Sequence, residues 1–163
     1  MASIVTLSWR LSAFGSQCAV QFGAMAEVVV RSLGGLEQEI QARGHRWLAD
    51  EPLEAGGGDG GPNPYELLLS ALGACTAMTV RLYASRKGWP LEGVEVVLRH
   101  ERIYAQDCEN CDSPDARLER VTKRLSLHGP LEPDQRQRLA EIAERCPVQR
   151  TLSSTVRIEQ ELV

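Results

Sequence analysis

The chain has 163 residues, of which 43% are apolar and 25% charged, and its formal net charge is −4. That length allows one domain with a substantial hydrophobic core, and the balance is ordinary for a globular protein. No basic stripe of the kind that holds nucleic acid stands out, and no unbroken apolar run approaches the roughly 18–20 residues of a membrane span, so neither a nucleic-acid nor a membrane partner is expected.

Residues 1–24 contain no acid and a single base, Arg10, together with both phenylalanines, Phe14 and Phe22. Ser, Thr, Arg10 and Gln17 interrupt the apolar stretch too often for a secretory signal, and one arginine is too few for an organellar transit peptide. The segment reads as an N-terminal extension outside the fold, with Met25 as an alternative start and residues 25–163 as the domain.

Glu27 to Leu33, with three successive valines, predicts a strand. Gly34-Gly35 turns the chain, Leu36 to Ala42 returns as a second strand, and after Gly44 a short third strand covers His45 to Leu48. Asp50 to Asn63 holds five glycines and two prolines. Little there can pack a core, so it is a connection or a lid. It lacks the Lys-Ser/Thr of a phosphate-binding loop.

Pro64 suits a first helical turn, and Gly88 suits the end of the helix that runs to Lys87. Leu68, Leu72, Cys75, Thr79 and Leu82 share one stripe of that helix, and Leu67 to Val80 carries no charge. Such a helix is expected to be buried on most sides, at the centre of the fold or of a dimer. Val94 to Tyr104 and Arg117 to His128 read as strands. Pro133 to Arg145 reads as an amphipathic helix whose apolar stripe is Leu139, Ile142, Ala143 and Cys146. Thr155 to Leu162 alternates as a closing strand. The order β-β-β-α-β-β-α-β defines an α+β domain with antiparallel strands.

The five cysteines are Cys18, Cys75, Cys108, Cys111 and Cys146. An odd count without a clear signal peptide points to reduced thiols and a cytoplasmic location rather than to a secreted disulfide framework. Cys108 and Cys111 form a CxxC, which is half a tetrahedral zinc site at best. Asp107, Glu109 and Asp112 surround it and oppose a thiolate, so it reads as a polar loop. No metal or other cofactor is expected, and His45, His100 and His128 read as surface or packing residues.

Cys75 lies on the buried stripe of the long helix, about 11 residues in, where the helix dipole has faded. Free cysteine is commonly a small packing residue, and a reactive Cys75 needs a nearby cation or another helix end. Cys146 precedes Pro147, which fits the first position of a new turn and would make Cys146 its N-cap. Unpaired N–H groups there, with Arg145 and Arg150 nearby, favour a thiolate; alternatively Cys146 merely completes the apolar stripe. Should the two meet, one thiolate can attack a peroxide O–O bond and become a sulfenic acid. The other then condenses with it to a disulfide, and an external thiol resets the pair.

The run Gly60-Gly61-Pro62-Asn63-Pro64-Tyr65-Glu66 through Cys75-Thr76-Ala77-Met78 resembles the first cysteine block of the OsmC/Ohr family, and Cys146-Pro147-Val148-Gln149-Arg150-Thr151-Leu152 resembles the second. Asp107-Cys108-Glu109-Asn110-Cys111 is similar to a loop in one OsmC-like branch. The resemblance spans about Val28 to Val163. It implies an intertwined homodimer with its sites at the subunit interface, and thiol-dependent reduction of organic hydroperoxides with an external thiol as reductant. It makes Cys75 the peroxide-attacking cysteine and Cys146 the resolving one.

Ohr and OsmC proper carry a glutamate directly after the helix-initiating proline. This chain has Tyr65 there and glutamate one place later, at Glu66, which faces away from Cys75 on the wheel and lies about 14 Å along the axis. The family's partner arginine has no assigned match; Arg31 and Arg43 are the candidates. Those departures leave a second expectation, a non-catalytic module binding an apolar ligand or partner at the interface.

Overall fold

The computed structural model describes residues 27–104 and 117–162. The extension at residues 1–24, and with it Cys18, lies outside the described residues, as do Cys108 and Cys111. The chain opens as an antiparallel meander of β1 (Val29–Gly34), β2 (Glu37–Ala42) and β3 (His45–Ala49), paired in the order β1-β2-β3. Ile40 and Ala49 are its buried apolar residues, whereas Val30, Leu33, Leu36 and Trp47 lie open to solvent. Among the described residues this sheet makes no extensive contact with the other strands or with the helices.

The glycine-rich segment that follows is organised by a carboxylate. Asp50, 3% exposed, accepts hydrogen bonds from the N–H groups of Glu51 (2.8 Å), Gly58 (2.8 Å) and Gly60 (3.1 Å). These bonds, the one from Gly60 foremost, hold its carboxyl below the usual carboxylate range. A 3-10 turn at Leu53–Ala55 lies within the segment.

Helix α1 (Pro64–Lys87) begins at a complete capping box. The Asn63 side chain accepts from the Glu66 N–H at 3.0 Å, and the Glu66 carboxylate accepts from the Asn63 N–H at 2.8 Å. Glu66 is thus committed to starting the helix. Gly88 ends it with φ +65°, a conformation that side chains with a Cβ avoid. The face of α1 that packs inward is Leu72, Thr76, Val80 and Ala84. The expected stripe is corrected here: Leu68 and Leu82 are exposed at 40% and 48%. An almost uniformly apolar helix has no preferred side of its own, so its neighbours choose the face.

Gly73 brings α1 against β4 (Gly93–Tyr104), where an added Cβ would lie 2.8 Å from Leu98 Cδ1. β4 pairs along its length with β5 (Arg117–His128), antiparallel, with Val94 opposite Leu127 and Val96 opposite Leu125. Helix α2 (Pro133–Ala143) closes the core with the C-terminal half of α1. Val80, Ala84, Leu131, Leu139 and Ala143 form the buried cluster, and Tyr83, Trp89, Val94 and Leu125 pack on it. The predicted stripe Leu139, Ile142, Ala143 and Cys146 is buried throughout.

A short helix α3 (Pro147–Leu152) follows, and Thr155 to Leu162 does not form the expected closing strand. Its alternation is present, yet Val156, Ile158 and Leu162 are 54%, 89% and 95% exposed. A strand needs a neighbouring edge to bond with, and among the described residues this segment pairs with none of the strand edges. The α+β class with antiparallel strands stands.

By length and composition alone, α1 is also long and apolar enough to cross a membrane, with an 18-residue window of mean hydropathy 1.5 that is only 28% buried. No unbroken run in the sequence announced this, because Ser70, Gly73 and Thr76 punctuate it. In the fold α1 packs against β4, α2 and α3, as a core helix does.

Candidate active site

Helix α1 carries Cys75 on the side that faces the junction of α2 and α3. There Glu144 ends α2 and Cys146 stands as N-cap of α3, with Pro147 at its first position. The proline is the local cause: it lacks the N–H that would be unpaired in a first turn, and its ring disfavours helical backbone at the residue before it. Cys146 accordingly leaves the helical region, at φ −57° and ψ 127°. Both cysteines are free thiols; Cys75 is half-buried and Cys146 completely buried.

The two side chains lie near enough to shift each other's titration, in opposite senses. Burial, followed by the hydrogen bond to Cys146, pushes the Cys75 thiol up. Burial also opposes ionisation of Cys146. It is outweighed by the hydrogen bond from Cys75, the N–H groups of Gln149 and Val148, and the Thr76 hydroxyl, so the Cys146 thiol is pulled below its ordinary value. Residue-level reasoning favoured Cys146 as the thiolate for the N–H groups that α3 supplies.

Cys75 opens on a cavity of about 540 Å³. Ala71, Ala74, Met78, Leu82, Ile142, Pro147 and Val148 give it apolar walls, while Tyr83, Arg86 and Arg145 bring polar groups to it. Tyr83 is fixed from behind: its ring meets Trp89 edge-on at 5.6 Å, and its hydroxyl accepts from Arg138 Nε at 3.2 Å. The helix that carries Cys146 is braced from β5. Lys123 Nζ donates to Gln149 Oε1 (2.6 Å) and Ala143 O (3.2 Å) and pairs with Glu144 (3.2 Å). Gln149 Nε2 in turn donates to Glu144 Oε2 at 2.7 Å. Sequence reasoning missed Lys123. Its signal was faint, a lysine at an inward position of a strand.

Tyr65, in the place of the family's glutamate, points elsewhere. Its ring stacks on His100 at 4.5 Å, and its hydroxyl accepts from Arg102 Nη2 at 3.5 Å. His100 and Arg102 both bond Glu119. Arg31 lies on β1 with Gln41 and Glu39, and Arg43 stands in the β2–β3 turn at φ 55°. Neither lines the cavity at Cys75. No cluster of three or more metal-ligating side chains occurs among the described residues.

Two free thiols thus lie near each other between helices, and one of them faces an apolar cavity. The sequence model of the OsmC-like protein family matches residues 56–161, and the chain belongs to that family. None of the curated protein sequences compared matches it. Among solved structures it is similar to an OsmC-like protein from Mycoplasma pneumoniae, with 18% identity and a TM-score of 0.63 over 80% of this chain and 89% of that one. An organic hydroperoxide resistance protein OsmC from Legionella pneumophila gives 19% identity and a TM-score of 0.58 over 79% and 89%. The organic hydroperoxide resistance protein OhrB of Bacillus subtilis gives 20% and 0.54 over 78% and 90%. At these identities the likeness is one of fold.

Proposed function

We propose that this protein is a thiol-dependent peroxidase that reduces organic hydroperoxides through Cys75 and Cys146. The observation that carries the reading is the proximity of the two thiols beneath an apolar cavity lined by Cys75 alone of the pair. Cys75 sulfur attacks the distal oxygen of the hydroperoxide, the O–O bond breaks, and the alkoxide leaves as the alcohol after taking a proton. Cys75 is then a sulfenic acid. Cys146 attacks that sulfur, hydroxide departs as water, and a disulfide remains for an external dithiol to reduce. The apolar walls favour an alkyl hydroperoxide over hydrogen peroxide.

The working unit in this reading is a homodimer. Apolar side chains on the meander, the exposed side of α1 and the segment Val156–Leu162 all stand open on one chain, more than a stable monomer commonly exposes. A second copy would cover them and could pair with the terminal segment.

The reduced protein, mixed with cumene hydroperoxide, should lose Cys75 and Cys146 thiols in step with the peroxide consumed. Undiminished turnover by Cys75→Ser would refute the reading. Tyr65 supports a second one: with that position engaged by Arg102 and His100, the family's glutamate function has no replacement beside Cys75. On that reading the cavity serves an apolar ligand or partner without catalysis. Native mass spectrometry of protein purified from cells would then show a retained ligand, and efficient peroxide turnover would count against it.

A further inference from the structure

Helix α3 owes little of its position to apolar packing. It is 6 residues long, and none of its side chains is buried. Cavities lie on two sides of it. The one at Cys75 reaches Pro147 and Val148, and a second, of about 440 Å³, is bordered by Gln149, Leu152 and Ser153. A helix this short has no stability of its own in water. Among the described residues, α1 is the one element on which it packs extensively.

What fixes α3 beside α1 is its buried N-cap, Cys146, and a polar clasp anchored on β5. Lys123 Nζ bonds on both sides of the Cys146 turn. On the α2 side it donates to Ala143 O (3.2 Å) and pairs with Glu144 Oε1 (3.2 Å). On the α3 side it donates to Gln149 Oε1 (2.6 Å). Gln149 Nε2 donates to Glu144 Oε2 (2.7 Å) and closes the ring. An ammonium carries three N–H donors, and these acceptors occupy them all. One cation, on a side chain 12% exposed, thus gathers both ends of the turn at residues 145–148.

We propose that Lys123 is the positioning residue of disulfide closure: through Gln149 and Glu144 it sets where Cys146 stands relative to Cys75. The inference rests on the peroxidase reading and concerns its second step. In the first step the Cys75 sulfur takes the distal oxygen of the hydroperoxide, and the alcohol leaves. In the second the Cys146 sulfur attacks the Cys75 sulfur, the S–OH bond breaks and the S–S bond forms. The departing hydroxide leaves as water with the proton of the Cys146 thiol. A disulfide accepts a narrow range of geometry, and a misplacement of about 1 Å costs a positioned reaction about a hundredfold. Cys75 stands in the middle of a long helix, whereas Cys146 stands on a turn that the clasp holds. Lys123 does not line the cavity at Cys75, so it acts on closure rather than on the attack on peroxide.

The test follows the two steps separately in full-length protein with Cys18, Cys108 and Cys111 replaced by serine. In a single turnover with cumene hydroperoxide, peroxide loss reads the attack and non-reducing peptide mapping reads closure. Lys123→Met should slow closure about tenfold relative to the attack and let the Cys75 sulfenic acid accumulate, where dimedone traps it. Gln149→Leu, which removes the α3 side of the clasp, should act in the same direction. The double variant should close no more slowly than Lys123→Met, because the two residues act as one unit. Equilibration with a glutathione redox buffer needs no peroxide and reads the same geometry: the Cys75–Cys146 disulfide should form about tenfold less favourably in Lys123→Met. Attack and closure slowed alike would show a merely structural role and overturn the proposal, as would closure or a glutathione equilibrium that Lys123→Met leaves unchanged. If Lys123→Met fails to fold, Gln149→Leu takes its place in both measurements. No peroxide consumption by the unsubstituted pair, beside the expected glutathione shift, would overturn the peroxidase reading and leave the clasp standing.

Discussion

Cys146, the N-cap of α3, lies beside Cys75 of α1, and the two differ in the sense of their shifts: Cys75 upward, Cys146 downward. The asymmetry follows from what each sulfur meets. Cys75 faces apolar walls, while Cys146 meets two backbone N–H groups and the Thr76 hydroxyl. Of the two, Cys75 lines the cavity and Cys146 is completely buried.

Oxidation with one equivalent of an alkyl hydroperoxide should therefore yield an intramolecular Cys75–Cys146 disulfide. Peptide mapping without reductant should recover the α1 and α3 peptides joined, with two thiols lost per chain. Neither Cys75→Ser nor Cys146→Ser should give that linkage, and a joined species in either variant would show that another cysteine resolves the intermediate.

Lys123→Met should loosen the site without emptying the core. Its ammonium, on a side chain 12% exposed, ties β5 to Gln149, Ala143 and Glu144. Loss of buried charge-assisted bonds of this kind costs about 1–3 kcal/mol. Chemical denaturation should read that loss. Cys146 should also become less acidic as the Gln149 N–H loses its aim, which thiolate absorbance would register.

Asp50 sets an acid limit on the meander and its loop. Its pKa lies below the ordinary 3.8 because the carboxylate accepts three backbone N–H bonds, so its stabilisation is fully present above that value and is lost as pH falls through the folded one. Melting temperature should drop on acidification below about pH 4. Asp50→Asn should melt lower at neutral pH and show a shallower acid limb. An unchanged acid limb would place the responsible group elsewhere.

Leu139→Ala should destabilise by about 2–5 kcal/mol, the usual cost of a cavity at a fully buried leucine. Urea unfolding with unchanged m-value would show that the fold itself is retained.

Sedimentation should give the mass of two chains. Ile158→Asp with Leu162→Asp, two side chains open to solvent in the single chain, should shift the protein toward monomer while leaving its helices intact by circular dichroism. An unshifted equilibrium would mean that the terminal segment takes no part in association.

Local chemistry in the sequence determined a good part of this protein. Pro64 and Gly88 marked α1 to the residue, Pro147 announced α3 and the N-cap at Cys146, and the stripe from Leu139 to Cys146 named the face α2 buries. Each of these rests on a steric or hydrogen-bonding rule that acts within one or two turns. The two cysteine blocks carried the family resemblance, which the match over residues 56–161 bears out. Only the tertiary structure decided which side of α1 turns inward, because a helix apolar all round carries no preference of its own. It also brought Cys75 to Cys146, a contact that depends on how α2 and α3 dock on α1. The alternation of Thr155–Leu162 was legible but was not enough to make a strand, since a strand exists only where another backbone edge completes its hydrogen bonds.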